Sequence, residues 1–149
     1  MSKRAVVVGG GFAGLEAAIS LVRSGLAVTL VSERPFLWIY PTSIWVATGE
    51  YAPERVELDL AEVAARHGFE LVLGKVDAID ARARAVRIGE RTLEADHLVV
   101  ALGGGRVRPK GVEHTFTIAA EPAATESFRD ALLALVDRGS GRIAVGFGG

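Results

Sequence analysis

Apolar residues along this chain fall into three kinds of pattern, and each predicts a different element. Ala5-Val6-Val7-Val8 and Ala27-Val28-Thr29-Leu30-Val31 are short, continuous and rich in β-branched residues, the pattern of parallel strands buried on both faces. Between them Phe12, Leu15, Ile19 and Val22 recur at helical spacing, and Gly25 stands at the C′ position of the helix they predict. Two further apolar runs, Phe69 to Leu73 and Leu98 to Leu102, predict more buried strands, the second ending in Gly103-Gly104-Gly105. A helix is predicted from Asp59 to Arg66, with Asp59 and Glu62 as a capping box and Gly68 as its stop. Another is predicted from about Pro122 to Arg138, with Phe128, Leu132, Leu135 and Val136 on its apolar face and Gly139 after it. A last strand is predicted over Arg142 to Phe147.

Residues 75–95 differ. There Val76, Ala78, Ala85, Val86 and Ile88 alternate with charged residues, and breaks fall near Asp80-Ala81-Arg82 and Gly89-Glu90. This predicts an antiparallel meander with one wet face. Arg82, Arg84, Arg87 and Arg91 lie in it and read as a solvated face, with phosphate binding as the alternative. From Pro35 to Pro53 the pattern is irregular and aromatic. The layout is α/β: a mostly parallel sheet with helices on its faces and an inserted antiparallel β-meander.

Composition narrows the chemistry. The 149 residues are the length of one domain and carry a net charge of −1, so no general electrostatic pull draws the chain to nucleic acid or anionic lipid. The absence of cysteine excludes disulfides, zinc-thiolate sites, iron–sulfur ligation and a cysteine nucleophile within this sequence. The basic start, Met1-Ser2-Lys3-Arg4, is followed by only Ala5 to Val8 before the glycines, too short a run for a signal peptide. No window reaches the roughly 18 apolar residues of a membrane span. A cytoplasmic location is expected, peripheral to a membrane if the chain is assembled into a larger protein.

The candidate chemistry sits between the first strand and the first helix. Gly9-Gly10-Gly11-Phe12-Ala13-Gly14 contains G-x-G-x-x-G, and a strand before it and a helix after it supply the context that a dinucleotide fingerprint needs. Gly9 permits the tight turn, Gly11 lets a pyrophosphate approach the backbone, and Gly14 allows close helix–strand packing. The pyrophosphate charge would sit at the positive end of the helix. Glu33 follows at the tip of the second strand, where a carboxylate accepts hydrogen bonds from a ribose 2′-hydroxyl. Such a carboxylate repels a 2′-phosphate, which favours FAD or NAD over NADP.

Val6-Val7-Val8-Gly9-Gly10-Gly11-Phe12-Ala13-Gly14-Leu15-Glu16-Ala17-Ala18 resembles the start of the two-dinucleotide-fold flavoproteins, the pyridine nucleotide–disulfide oxidoreductase superfamily. Asp96-His97-Leu98-Val99-Val100-Ala101-Leu102-Gly103 is similar to that family's strand ending in Ala-Thr-Gly, with Leu102 in place of Thr. The resemblance implies a Rossmann-like FAD/NAD(P)-binding domain over residues 1–110. A connecting helix and the first strand of a second dinucleotide-binding domain would occupy residues 111–149. It also implies FAD as cofactor, held by Gly9, Gly11, Phe12, Ala13 and Gly14, by Glu33 and Arg34, and by Ala101 and Gly103. Tyr40 to Gly49 looks like the branch that holds sulfide:quinone oxidoreductase and flavocytochrome c sulfide dehydrogenase. By that analogy the Val76 backbone meets the adenine and Ser43 lies near the flavin end.

Two function classes follow. In one, the chain is the FAD-binding part of an oxidoreductase that takes two electrons from sulfide, NADH or a similar donor and passes them to quinone or cytochrome. In the other it is a non-catalytic nucleotide-binding or interaction module. Members of the resembled family are typically more than twice as long, so the sequence reads as an N-terminal portion, and self-association or a second chain completing the fold is expected. His67, His97 and His114 read as structural or solvated, no residues have metal-ligand spacing, and no catalytic residue is assigned. Trp38 and Trp45 read as core or a partner interface.

Overall fold

A computed structural model describes residues 2–104, 111–116 and 122–146. The chain forms two compact units, Met1–Leu37 with Leu58–Gly104, and Trp38–Glu57 with Gly105–Gly149. In chain order the elements are β1 (Arg4–Val8), α1 (Phe12–Arg23), β2 (Ala27–Ser32), β3 (Phe36–Trp38), α2 (Ser43–Ala47), β4 (Glu57–Asp59) and α3 (Leu60–His67). There follow β5 (Glu70–Leu73), β6 (Ala78–Asp80), β7 (Ala85–Ile88), β8 (Arg91–Glu94), β9 (His97–Val100) and α4 (Pro122–Asp137). A two-stranded sheet pairs β3 with β4.

In the first unit a four-stranded sheet has the order β5-β2-β1-β9, and every pairing in it is parallel. The continuous apolar runs have a direct cause. Successive side chains of a strand point to opposite faces, and here both faces are covered. Ala5 and Val7 of β1 join Leu30, Leu15 and Ala18 of α1, and Leu60 and Ala64 of α3 in one core. Val6 and Val8 face the other way, onto Val31, Val72 and Val86. Helices therefore cover one face of the sheet and the meander covers the other.

That meander is the three-stranded antiparallel sheet β6-β7-β8. Val86 is fully buried at its centre and Ile79, Ile88 and Leu93 pack around it. Ala78 is exposed, because Ile79, paired with Val86, takes the inward position. Arg87 and Arg91 pair with Asp77 at 3.4 Å and Glu70 at 3.2 Å on the wet face, and Arg84 donates to the Ala95 carbonyl.

Local signals set the ends of α3. The Asp59 carboxylate accepts from the amides of Ala61 and Glu62 at 2.7 and 3.2 Å, which satisfies donors that the first turn leaves open. Gly68 ends the helix at φ +79, a conformation that costs a glycine little. His67 is the last residue of α3 and His97 the first of β9.

The second unit contains α2, 3₁₀ turns at Tyr40–Thr42, Pro53–Val56 and Val112–His114, and α4. Helix α2 lies against α4, burying Ser43, Val46 and Ala47 from one and Thr125 from the other. This short helix falls in the stretch whose pattern reads as irregular, since five residues give little more than one turn of periodicity. Trp38 is buried, whereas Trp45 is partly exposed with its ring 5.6 Å from Tyr51. His114 sits 3.7 Å from Glu113, both exposed.

Three expectations about elements need correction. Val136 is 73% exposed rather than on the buried face of α4. The strand predicted from Leu98 ends at Val100, although the Ala101 amide still bonds to the Val8 carbonyl at 2.8 Å. Residues 142–146 form no strand: among the described residues they have no ladder partner, and Ile143 and Val145 are exposed. Gly105 and Phe147 lie outside the described residues.

A reciprocal pair of bonds ties the start of β1 to the entry of β9. The Arg4 amide donates to the Asp96 carboxylate and the Asp96 amide to the Arg4 carbonyl, at 2.8 and 2.9 Å. The first of these bonds holds the Asp96 carboxyl below its ordinary value of 3.8, and the charges of Arg4, His97 and Lys3 act in the same direction against a desolvation effect. A depressed carboxylate contributes stability that is complete above its unfolded value and is lost as pH falls through the folded one. Asp96→Ala is therefore expected to lower Tm at neutral pH. Thermal melts from about pH 6 to about pH 3 should then show a smaller acid-side loss than in the unsubstituted protein.

Candidate dinucleotide-binding site

The glycine turn is held from both sides. Gly9, which follows β1, donates to the Val31 carbonyl at the end of β2, while Val8 accepts from Ala101 after β9, both at 2.8 Å. Gly9 has φ +113, and a Cβ there would run into the Ala101 carbonyl. A Cβ on Gly14, in the first turn of α1, would overlap the Gly9 carbonyl oxygen and stand 3.4 Å from the Ala101 side chain. Strand end, helix start and neighbouring strand thus meet with no room for a side chain at either glycine. At Gly11 the situation is reversed: a Cβ would meet nothing within 4 Å.

That open space belongs to a cavity of about 670 Å³ at the carboxyl ends of the parallel strands. Its lining takes in Val8 to Ala13, Val31 to Arg34, Phe36, Gly74, Val76 to Ile79 and Ala101 to Gly103. Every one of these residues belongs to the first unit. The cavity also lies where β1 has β2 on one side and β9 on the other, the switch point at which open α/β sheets bind ligands.

The N-terminus of α1 opens into this cavity. Gly11 is its N-cap, no side chain caps it, and no acidic residue stands in its first turn. The partial positive charge of the helix end, about half an elementary charge, is therefore not offset locally by an acidic side chain. The charged lining is otherwise sparse: Glu33, Arg34 and Asp77. Glu33 is exposed at the rim, just past the end of β2. The Arg34 guanidinium lies 5.7 Å from the centre of the Phe36 ring.

Gly9, Gly11, Phe12, Ala13, Glu33, Arg34, Val76, Ala101 and Gly103 therefore come together around one space, although they are spread from residue 9 to residue 103. Phe12 belongs to the cavity and not to the core beneath α1: it is 50% exposed. Gly14 does not line the cavity; it sets the packing behind it. Ser43 lies in the second unit, where its buried hydroxyl donates to the Tyr40 carbonyl at 2.6 Å.

Two polar lining residues escape a reading of the sequence. Asp77 accepts from the Gly89 amide at 2.6 Å and from Arg87 at 3.4 Å, which fixes the start of the meander against the cavity. Ser32, 6% exposed, bonds through its hydroxyl to both the carbonyl and the amide of Arg34. A serine that closes a strand two residues before a turn residue is the available signal for Ser32. Asp77 has none, because its partners depend on the tertiary placement of β7. Among the described residues no cluster of three or more His, Asp or Glu side chains could hold a metal ion. No helix in them is long and apolar enough to cross a membrane.

Known proteins place this arrangement. Type II NADH:quinone oxidoreductase NdhA of Mycobacterium tuberculosis is 32% identical over 105 residues, covering 67% of this chain and 22% of its own length. The epsilon subunit of NADH-dependent phenylglyoxylate dehydrogenase from Aromatoleum evansii is 34% identical over 125 residues, 76% of this chain and 26% of its own. Among solved structures, the sulfide:quinone oxidoreductase of Aquifex aeolicus superposes with a TM-score of 0.81 at 28% identity, covering 91% of this chain and 33% of its own. The chain thus spans about a quarter of the length of the curated relatives it matches. The family model for pyridine nucleotide-disulphide oxidoreductase matches residues 3–149, and the chain belongs to that family as an FAD/NAD-binding domain.

Proposed function

We propose that the cavity at the glycine turn holds the ADP half of FAD, and that the chain is the FAD-binding part of a flavin-dependent oxidoreductase. One observation carries this reading: the glycine turn, the N-terminus of α1 that no side chain caps, Glu33 and the Ala101–Gly103 segment after β9 line a single space. The residues fit the group. Gly11 leaves room for a pyrophosphate against the backbone, and the amides of the α1 N-terminus would meet its charge without a basic side chain. Glu33 would accept from the ribose, and the backbone around Val76 would border the adenine. Ala101 and Gly103 would flank the dinucleotide as it leaves the glycine turn. Ser43 near the flavin is part of the same reading, by analogy with the sulfide:quinone oxidoreductase branch.

When bound, the flavin supplies the two-electron chemistry, and the protein supplies position and electrostatics. The names of the relatives support a donor such as NADH or sulfide and a quinone or similar acceptor. Because the chain covers a fraction of each relative, we propose that further sequence or a partner chain completes the catalyst.

Purified protein incubated with FAD and desalted is expected to keep a flavin band near roughly 450 nm, with FAD identified by mass spectrometry of the released ligand. Binding of ADP without retention of flavin would reject the flavin assignment, and failure to bind either would reject the site. Glu33→Ala is expected to weaken ADP binding by about 1–3 kcal/mol, the cost of leaving a ribose hydroxyl unmatched.

The glycines separate folding from binding. Gly14→Ala drives a Cβ into the Gly9 carbonyl and is expected to cost about 1–3 kcal/mol of stability. Gly11→Ala points into open space and is expected to melt within about 1 kcal/mol of the unsubstituted protein while binding ADP at least about tenfold more weakly. Equal losses of stability for the two variants in denaturant titrations would contradict this division.

A further inference from the structure

We propose that Ser32 is a positioning residue for Glu33, setting its carboxylate for the ribose 2′-hydroxyl of an adenine nucleotide; this rests on the reading of the cavity given above. The backbone of Ser32 is the last of β2 to be fixed by the sheet. It is paired with Leu73, and its carbonyl accepts from the Gly74 amide at 2.8 Å. Beyond it the ladder ends, and Glu33 has no strand to hold it. The Ser32 hydroxyl holds this segment instead, donating to the Arg34 carbonyl at 2.7 Å and accepting from the Arg34 amide at 3.3 Å. Both backbone groups of Arg34 are thereby tied back to a buried side chain, and Glu33 is bracketed between Ser32 and the tied Arg34 amide. Pro35 closes the segment, its carbonyl accepting from the Leu60 amide at 2.9 Å.

The glycine turn is shaped around the same hydroxyl. A Cβ on Gly10 would clash with the Ser32 side chain and approach Leu60 Cδ1 to 2.8 Å. Gly10 is the middle residue of the G-x-G, a position where the fingerprint itself asks for no glycine. Here the Ser32 side chain excludes anything larger. The hydroxyl thus stands between the two parts of the nucleotide site, seated on the glycine turn that faces the phosphates and clamping the segment that carries the ribose acceptor. A carboxylate on an exposed strand end samples many rotamers and backbone states, and preorganising it raises affinity by reducing what must be ordered on binding.

The test compares ADP with 2′-deoxy-ADP, titrated into the full chain by calorimetry. Their affinity ratio isolates the 2′-hydroxyl contact, and it does not depend on the fraction of protein folded. The unsubstituted protein is expected to prefer ADP by about tenfold, the size of a hydrogen bond to a charged group. Ser32→Ala keeps the Cβ that packs on Gly10 and is expected to cut that preference to about twofold while leaving 2′-deoxy-ADP affinity nearly unchanged. Combining Ser32→Ala with Glu33→Gln is expected to lower the ratio no further than Glu33→Gln alone, the non-additivity of two residues acting through one contact. A Ser32→Ala protein that keeps the full ratio, or that binds both nucleotides more weakly in equal measure, would overturn the positioning role and leave the reading of Glu33 standing. An unsubstituted protein that does not distinguish the two nucleotides would overturn the reading of Glu33, and the role of Ser32 with it.

Discussion

The contact on which the rest of the first unit depends is the one between Gly9, Gly14 and the backbone at Ala101. There the end of β1, the first turn of α1 and the end of β9 approach until no side chain fits at either glycine. That approach lets α1 start directly at the edge of the sheet, with its uncapped N-terminus facing the cavity. Moving the helix out by the width of one methyl group would separate Leu15 and Ala18 from Ala5, Val7 and Leu30, where the core beneath α1 is built. The same movement would carry the helix end away from the space that Gly11 leaves open. Core packing and the open space at the helix end are therefore two results of a single steric condition.

A second consequence concerns charge. A site meant for a pyrophosphate is commonly imagined as a cluster of lysines and arginines, but here the lining holds one arginine and two acids. The arginines of the meander do not line the cavity: Arg87 and Arg91 sit in half-exposed ion pairs with Asp77 and Glu70, of the kind that contribute little to stability. What remains for an anion is backbone, the amides at a helix end whose dipole no acidic side chain of the first turn offsets. Backbone donors do not have to be ordered at binding, because the turn that presents them is fixed by Val31, Ala101 and Gly14.

How far the sequence alone reveals this architecture depends on the range of the interactions involved. The strands around β1 are legible because burial on both faces leaves a continuous apolar run, and α3 is legible because Asp59 and Gly68 mark its ends with local chemistry. The glycine turn is legible because the glycines that answer its steric demands fall within six consecutive residues, although Ala101 and Ser32, which impose some of those demands, come from elsewhere in the chain. The Asp77 anchor and the inward place of Ile79 are not, since both depend on the partner that β7 brings from further along the chain. Helix α2 is too short to show a period, and its buried face is set by α4, far along the chain. The apolar residues from Arg142 onward illustrate the opposite failure. They read as a strand because Ile143 and Val145 favour one, but propensity creates no ladder, and among the described residues none is present.

The division of the molecule follows from the same constraint. Every residue that lines the cavity, and every bond that fixes the glycine turn and the Glu33 segment, belongs to the unit formed by Met1–Leu37 and Leu58–Gly104. Those bonds run through strand ends that are also core: Val8, Val31 and Ser32 are each less than a tenth exposed. The cavity and the segments that line it therefore fold with the sheet, and local fraying cannot dismantle them without opening the core. Ser43 belongs to a different unit, built on the packing of α2 against α4, and its hydroxyl is already engaged with Tyr40. On the proposed reading, the elements that would secure an ADP group are those that hold the sheet together.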